Sequence, residues 1–350
     1  MTQPSGHISW FAEIGLGDRP HAGGKGGSLG ELKRAGIAVP PGFVVRTSAF
    51  ERLLQELERT APVRARVEAL QADDLPQIEA CSRELRRRIE AASLPADVAA
   101  DISGAHAALA GDARIAVAVR SSATTEDASD ASFAGLQDTF LWVTTAAAAL
   151  DRVRSCWASL YSVESISYRR ARRFPEAGVA MAVVIQSMVD ARTAGVMFTR
   201  SPMTGDRSVI TVESAWGLGS AVVGGEVTPD RWVVGKVTGE ITVRTISDKA
   251  IEHVPAATGG IEAVKVAEER RRVASMSDAE LQALRLIGRR IERHYGSAQD
   301  VEWAVDRHSG EILLLQSRPE TVWSAKDAAP VARPAENPLA HVMSVFGGRR

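Results

Sequence analysis

The chain has 350 residues, 45% of them hydrophobic, enough for one large domain or for two packed units with a cleft between them. With 42 basic against 43 acidic residues the formal net charge is −1, so no global field selects nucleic acid or an anionic membrane surface. Cys81 and Cys156 form no CxxC, which leaves neither a zinc site nor a disulfide framework, and a reducing cytoplasm is the expected compartment. The N-terminus has no charged stretch followed by an apolar one, and runs such as Ala180 to Ile185 are too short to span a bilayer.

In chain order, the first organised unit is Gly23-Gly-Lys25-Gly-Gly-Ser28-Leu-Gly-Glu31. Ser28 and Glu31 have capping-box spacing and Gly36 is a suitable stop, which predicts a short helix directly after a glycine loop carrying Lys25. Backbone N–H groups at a helix start beside a lysine attract phosphate, although a flexible loop with a solvated lysine accounts for the same residues. The glycines match neither a Walker A loop nor the GxGxxG fingerprint. Val39-Pro-Pro-Gly-Phe-Val-Val45 reads as a turn into a strand. From Ala49 to Leu109, Leu53, Leu54, Leu57, Leu85 and Ile89 recur at helical spacings, and Arg86 to Arg88 reads as a solvated helix face.

An apolar strand from Ile115 delivers Arg120 at its end, followed by a hydroxyl-rich loop and by Gly135 and Thr139. Arg120 either clamps a phosphate or pairs with Glu126 or Asp127, and the segment alone does not choose. Ala180 to Val189 and Ala194 to Thr199 read as adjacent buried strands, with Gln186 placed to meet an adenine edge or to be satisfied by backbone. The strand ending in Glu213 enters the glycine loop Gly217-Leu-Gly219. Ser277 and Glu280 cap a helix whose Leu281, Leu284, Ile291 and Tyr295 share one side and which stops at Gly296.

That helix feeds a hairpin, Asp300 to Val305 turning at Ser309-Gly310 into Ile312 to Pro319. With Gly310 in the left-handed position, Glu302 lies opposite Gln316 and Asp300 opposite Arg318, all on one face. Alternation then puts Val301, Trp303, Val305, Leu313 and Leu315 on the core face. Carboxylate and amide oxygens are hard ligands and a guanidinium forks onto phosphate, so the quartet suits a metal with a polyphosphate. A cross-strand salt bridge on a solvated face is the simpler reading of the hairpin alone. After Pro319 the chain turns rich in alanine and proline and reads as a linker or tail, ending in an apolar set of Leu339, Val342, Val345 and Phe346 that could dock on a partner.

Eight colinear segments, GGKGGSLGEL, VPPGFVV, VAVRSSATTED, SFAGLQDTFL, GVMFTRSP, ES-WGLG, HYG-QDVEW and LLLQSRPET, together resemble the N-terminal ATP-binding domain of the phosphoenolpyruvate synthase and pyruvate phosphate dikinase family over about residues 8 to 323. The resemblance implies an α+β chain with a two-lobed ATP-grasp fold, one lobe over residues 1–205 and the other over 206–323, with 324–350 as a tail. It implies that Lys25, Arg120 and Thr139 hold phosphates and that Arg318 sits beside the γ-phosphate. It also implies Gln186 near the adenine, Glu302 and Gln316 on Mg²⁺, and Asp300, Glu213 and Gly135 in support. The implied reaction passes the β-phosphate of ATP to a histidine on a separate domain, leaving AMP and releasing the γ-phosphate. Two positions depart from the pattern: Trp142 stands where asparagine is usual, and Ser220 where glutamate is usual.

None of the seven histidines lies in the family's Thr-Gly-Gly-x-x-Ser-His carrier context, and Thr258-Gly-Gly260 is a partial echo followed by Ile-Glu-Ala-Val. The expected setting is therefore an ATP-binding subunit whose partner carries the phosphohistidine and acceptor site, as in phenylphosphate synthase with a phenolic acceptor; the start at Met1 and the tail favour that separate subunit. An ATP domain of a rifampicin phosphotransferase or phosphoenolpyruvate synthase, or a nucleotide-binding regulatory module without transfer activity, are the alternatives.

Overall fold

The structure is a computed structural model that describes residues 6–111, 115–124, 127–128, 131–132 and 138–327. Gly135, Glu126 and the apolar set from Leu339 to Phe346 lie outside the described residues, so the expectations placed on them are not addressed by the fold.

The first part runs β1 (Ile8–Trp10), α1 (Arg19–Arg34), β2 (Gly42–Val45), α2 (Thr47–Glu58), α3 (Arg64–Glu68), α4 (Leu75–Ala91), α5 (Ala96–Ala110) and β3 (Val117–Ala123). It continues through the two-residue strands β4 (Asp127–Ala128) and β5 (Ala131–Ser132) to β6 (Thr139–Val143), α6 (Ala146–Ser159), α7 (Val163–Ala171) and β7 (Met181–Ser187). Five of these strands form an antiparallel sheet in the order β1-β2-β7-β3-β6. The helical spacing of the leucines has its expected result: Leu53 and Leu54 of α2 and Leu85 and Ile89 of α4 pack with α5 and α6 on one face of that sheet, against Phe43, Val119 and Ile185. Asp74 caps α4 by accepting from the Gln77 N–H. Arg88 is not simply solvated: it donates to the Leu57 and Ala61 carbonyls at 3.1 Å each, tying α4 to the end of α2.

The second part runs β8 (Ala191–Phe198), β9 (Val209–Trp216), α8 (Ser220–Val223), β10 (Asp230–Gly235), β11 (Ile241–Thr245), β12 (Ile251–Pro255), β13 (Ile261–Lys265), α9 (Glu268–Arg271), α10 (Asp278–Tyr295), β14 (Gln299–Asp306), β15 (Ile312–Pro319) and α11 (Val322–Asp327). Six strands form an antiparallel sheet, β11-β10-β9-β8-β14-β15, and β12 pairs with β13 as a separate hairpin. The Ser277–Glu280 capping box forms and Gly296 ends α10 at φ 68°, as the sequence predicts. Leu281, Leu284 and Ile291 of α10 pack on Trp232, Val301 and Trp303 of this sheet, in a core shared with Leu29 and Leu32 of α1 and Val44 and Val184 of the first sheet.

One expectation is corrected here. β7 and β8 are consecutive but not adjacent, because β7 pairs with β2 and β3 whereas β8 pairs with β9 and β14. The chain thus passes from the first sheet to the second at residues 188–190. No helix among the described residues is long and apolar enough to cross a membrane. Cys81 and Cys156 are both unbridged and buried.

Candidate functional site

A cavity of about 640 Å³ opens between the two sheets. Its wall includes Arg120, Thr139, Trp142 and Gln186 from the first sheet, Ala194, Glu302 and Leu315 from the second, Ser220 from α8, and Gly219 and Thr258 to Gly260 from loops. A volume of a few hundred Å³ lined by apolar side chains and a few convergent polar groups is what small-ligand sites share.

The hairpin explains the polar end. β14 and β15 pair Asp300 with Arg318 and Glu302 with Gln316, as the alternation predicts, and Gly310 has φ 71°. The register then shifts, so that Trp303 faces Leu314 and Val305 faces Ile312. Leu315 is the extra residue of a β-bulge. Ile312 and Leu314 therefore take the core positions, while Leu313 and Leu315, expected there, pack half-buried with Val189, Ala191 and Ala304. The bulge leaves the Leu315 carbonyl to accept from Arg120 Nη1 at 2.8 Å.

Arg120 joins the sheets. It is 7% exposed and sits in the middle of β3, not at its end, because the strand continues through Ser121, Ser122 and Ala123. Its Nη2 donates to Glu302 Oε2 at 3.0 Å and Gln316 Oε1 at 2.5 Å, and its Nε has no partner among the described residues. The guanidinium thus engages the two proposed metal ligands. Because both oxygens accept from one nitrogen, they converge on one point. Mg²⁺ is commonly held by one or two protein oxygens together with phosphates, so this donor set fits it. Among the described residues no group of three His, Cys, Asp or Glu could hold a metal by itself.

Thr139 faces Arg120 in the β3–β6 register and lines the cavity. Asp300 and Arg318 lie one pair further out, with Arg318 Nε 3.5 Å from Asp300 Oδ2. Burial pushes the Asp300 carboxyl up to about 6, against the pull of Arg318, and Glu320 adds to the rise. Its Oδ1 is buried with no partner among the described residues. Glu213 shares the face of Glu302, since Glu213, Val196, Glu302 and Gln316 are successive cross-strand partners. It stands two strands away, about 10 Å by strand spacing, and is not part of the cavity wall.

Lys25 comes from α1, which does not begin at Ser28. The helix starts at Arg19 and kinks at Gly23, φ 69° and ψ 177°, where an added Cβ would stand 2.0 Å from the Ser122 carbonyl oxygen. Gly23 is needed for both the turn and the contact. Past the kink, Gly26 N–H donates to Ser122 Oγ at 3.2 Å, so β3 supplies the cap that Ser28 was expected to give. Ser28 donates to the Ser317 carbonyl at 2.6 Å and Glu31 accepts from His294 at 2.6 Å, which ties α1 to β15 and to α10. Lys25 is half-buried in the first turn after the kink. It lies near Cys156, whose thiol is pushed up by burial and then by Asp138, with Lys25 and Arg152 opposing.

At the apolar end, Gln186 lines the cavity and is 2% exposed, and its buried Nε2 has no partner among the described residues. Sequence reasoning missed Arg152, which lines the cavity with its guanidinium 4.8 Å from the Phe140 ring centre; it lies in an ordinary amphipathic helix and no motif marks it. It also set aside Thr258-Gly-Gly260, the tip of the β12–β13 hairpin and part of the cavity wall. The hairpin base is anchored by the buried pair Lys249–Asp230, 2.6 Å, and by Ser220 Oγ, 2.8 Å from His253 Nδ1. His253 Nε2 is 3.4 Å from Glu226.

The sequence pattern of the pyruvate phosphate dikinase AMP/ATP-binding domain matches residues 19–337. A probable phosphoenolpyruvate synthase of Methanothermobacter thermautotrophicus is 43% identical over 318 residues, 90% of this chain and 46% of that protein. Phosphoenolpyruvate synthases of Pyrococcus furiosus and Aeropyrum pernix are 35% and 37% identical over 94% of this chain, which covers 45% and 44% of their lengths. The chain thus spans less than half the length of these relatives. With its pattern matched over most of the chain and a nucleotide-sized cavity inside the matched region, the protein belongs to the pyruvate phosphate dikinase AMP/ATP-binding domain family.

Proposed function

We propose that this chain is the ATP-binding part of a dikinase, with an ATP-grasp arrangement in which Mg·ATP lies between the two sheets. The observation that carries the reading is the convergence of Arg120 from one sheet and Glu302 and Gln316 from the other on a cavity that also holds an unpartnered amide donor, Gln186. Glu302 and Gln316 would hold Mg²⁺, which supplies charge neutralisation for the phosphates. Once their oxygens are so engaged, they release the Arg120 guanidinium, whose planar fork then binds phosphate beside Lys25, Thr139 and Arg318. Gln186 donates to the base. Phosphoryl transfer asks for positioning and charge stabilisation more than for covalent help, and these residue types supply both.

In this reading the bond between the α- and β-phosphates breaks to leave AMP, the β-phosphate is carried on a histidine of a partner domain or subunit, and water releases the γ-phosphate. The names of the relatives support a phosphoenolpyruvate synthase setting over the phenolic acceptor expected from the missing carrier motif. ATP labelled at the β- or γ-position, incubated with this chain and the carrier region of such a synthase, tests it. β label on the carrier histidine with γ label as free phosphate is the expected result. ADP as the stoichiometric product would contradict it.

A further inference from the structure

Trp142 stands where the family resemblance leads to asparagine, and the structure gives this replacement both a place and a conformation. The residue lies on β6 in the cavity wall, with φ 57°. That left-handed region is tolerated by asparagine and uncommon for a bulky aromatic residue. The neighbouring hairpin holds the conformation: the Trp142 carbonyl accepts from Gly260 N–H at 3.0 Å, at the tip of β12–β13. Gly259 and Gly260 reach it with φ of 91° and 80°. The side chain packs on Val189, Ala191, Ala194, Leu218 and Ala304, the apolar wall of the same cavity.

An aromatic face on an apolar wall, with the unpartnered Gln186 amide donor in the same cavity, matches the needs of a flat heteroaromatic ring that bears acceptor nitrogens. We propose that Trp142 is a specificity-determining residue, the platform on which the nucleotide base stacks, positioned by the Gly259–Gly260 tip. The inference rests on the nucleotide reading of the cavity. It goes beyond that reading because it assigns base recognition to a residue at which this chain departs from the family pattern, and to a hairpin that the phosphate chemistry does not use.

Asparagine at this position relieves the backbone and removes the ring, so Trp142→Asn separates the two roles. Calorimetry would compare Mg·ATP with Mg·tripolyphosphate, which has phosphates but no base. Loss of one stacked base corresponds to roughly a five- to hundredfold change, so Trp142→Asn is expected to weaken Mg·ATP at least about tenfold. Binding of Mg·tripolyphosphate should be retained, and Trp142→Phe, which keeps a ring, should restore most of the Mg·ATP affinity. Undiminished Mg·ATP affinity in Trp142→Asn overturns the proposal, as does a parallel loss of both ligands, which would mean that the residue acts through the fold. If the unaltered chain binds neither ligand, the nucleotide reading itself falls; if it binds both equally, the base contributes nothing and the platform falls alone.

Discussion

Two arginine–carboxylate pairs in this molecule have the same chemistry and opposite surroundings. Arg169 and Glu176 are 1% and 0% exposed, 3.0 Å apart, within the helical layer on the first sheet. Arg169 also donates to the Leu160 carbonyl and lies 5.8 Å from the Tyr161 ring centre. Arg120 and Glu302 are likewise 3.0 Å apart, but they come from different sheets, Glu302 is 32% exposed, and both line the cavity. The closed pair has no route to exchange partners and therefore serves the fold. The open pair can trade its partner for a ligand. Contact geometry does not distinguish them; access does.

The largest expected effect breaks the closed pair. Arg169→Ala should lower the unfolding free energy by about 3–5 kcal/mol, because Glu176 is left charged and buried without its partner. The double variant Arg169→Leu/Glu176→Leu should recover most of that loss, since replacing both members of a buried pair by apolar groups is often nearly neutral. Denaturant unfolding checks both, and equal instability of the single and double variants would show that packing, not charge, holds the site.

The next effect probes the open pair from its carboxylate. Glu302→Ala should cost about hundredfold in Mg·ATP affinity, close to 2.7 kcal/mol, with much of the Mg²⁺ dependence lost. Stability should change little, because Glu302 is partly solvated and Arg120 keeps the Leu315 carbonyl and Gln316 as acceptors. Calorimetry at two Mg²⁺ concentrations measures this, and an unchanged metal dependence would remove Glu302 from the metal.

The two pairs also differ in how far the sequence discloses them. The pairing of Glu302 with Gln316 was legible because alternation and a glycine at the turn fix the register. The bulge at Leu315 was not, since Leu313, Leu314 and Leu315 are identical side chains and hydrophobicity cannot say which is the extra one. Partners from distant segments were also hidden: that Arg120 meets Glu302, that β8 leaves β7 for another sheet, and that Ser122 caps the helix around Gly26 are all consequences of tertiary packing. The glycines around Lys25 read as a loop because each costs a helix about 1 kcal/mol. They stand in a helix because the neighbours leave no room for a side chain: a Cβ on Gly26 would lie 2.9 Å from Val44 and one on Gly30 2.5 Å from the Ile14 carbonyl oxygen. Arg169 and Glu176 carry no motif at all, as befits residues that serve only the fold.

The central claim, that the open pair exists to exchange its partner for a polyphosphate, is tested most directly by the ligand preference of Arg120→Ala. Arg120 must give up Glu302 and Gln316 to bind phosphate, so its net contribution is smaller than that of the metal ligand. About tenfold weaker Mg·ATP binding is expected, in the range of one charge-assisted hydrogen bond, with adenosine affinity unchanged. Equal losses for ATP and adenosine would contradict the account and place Arg120 with Arg169 as a structural residue.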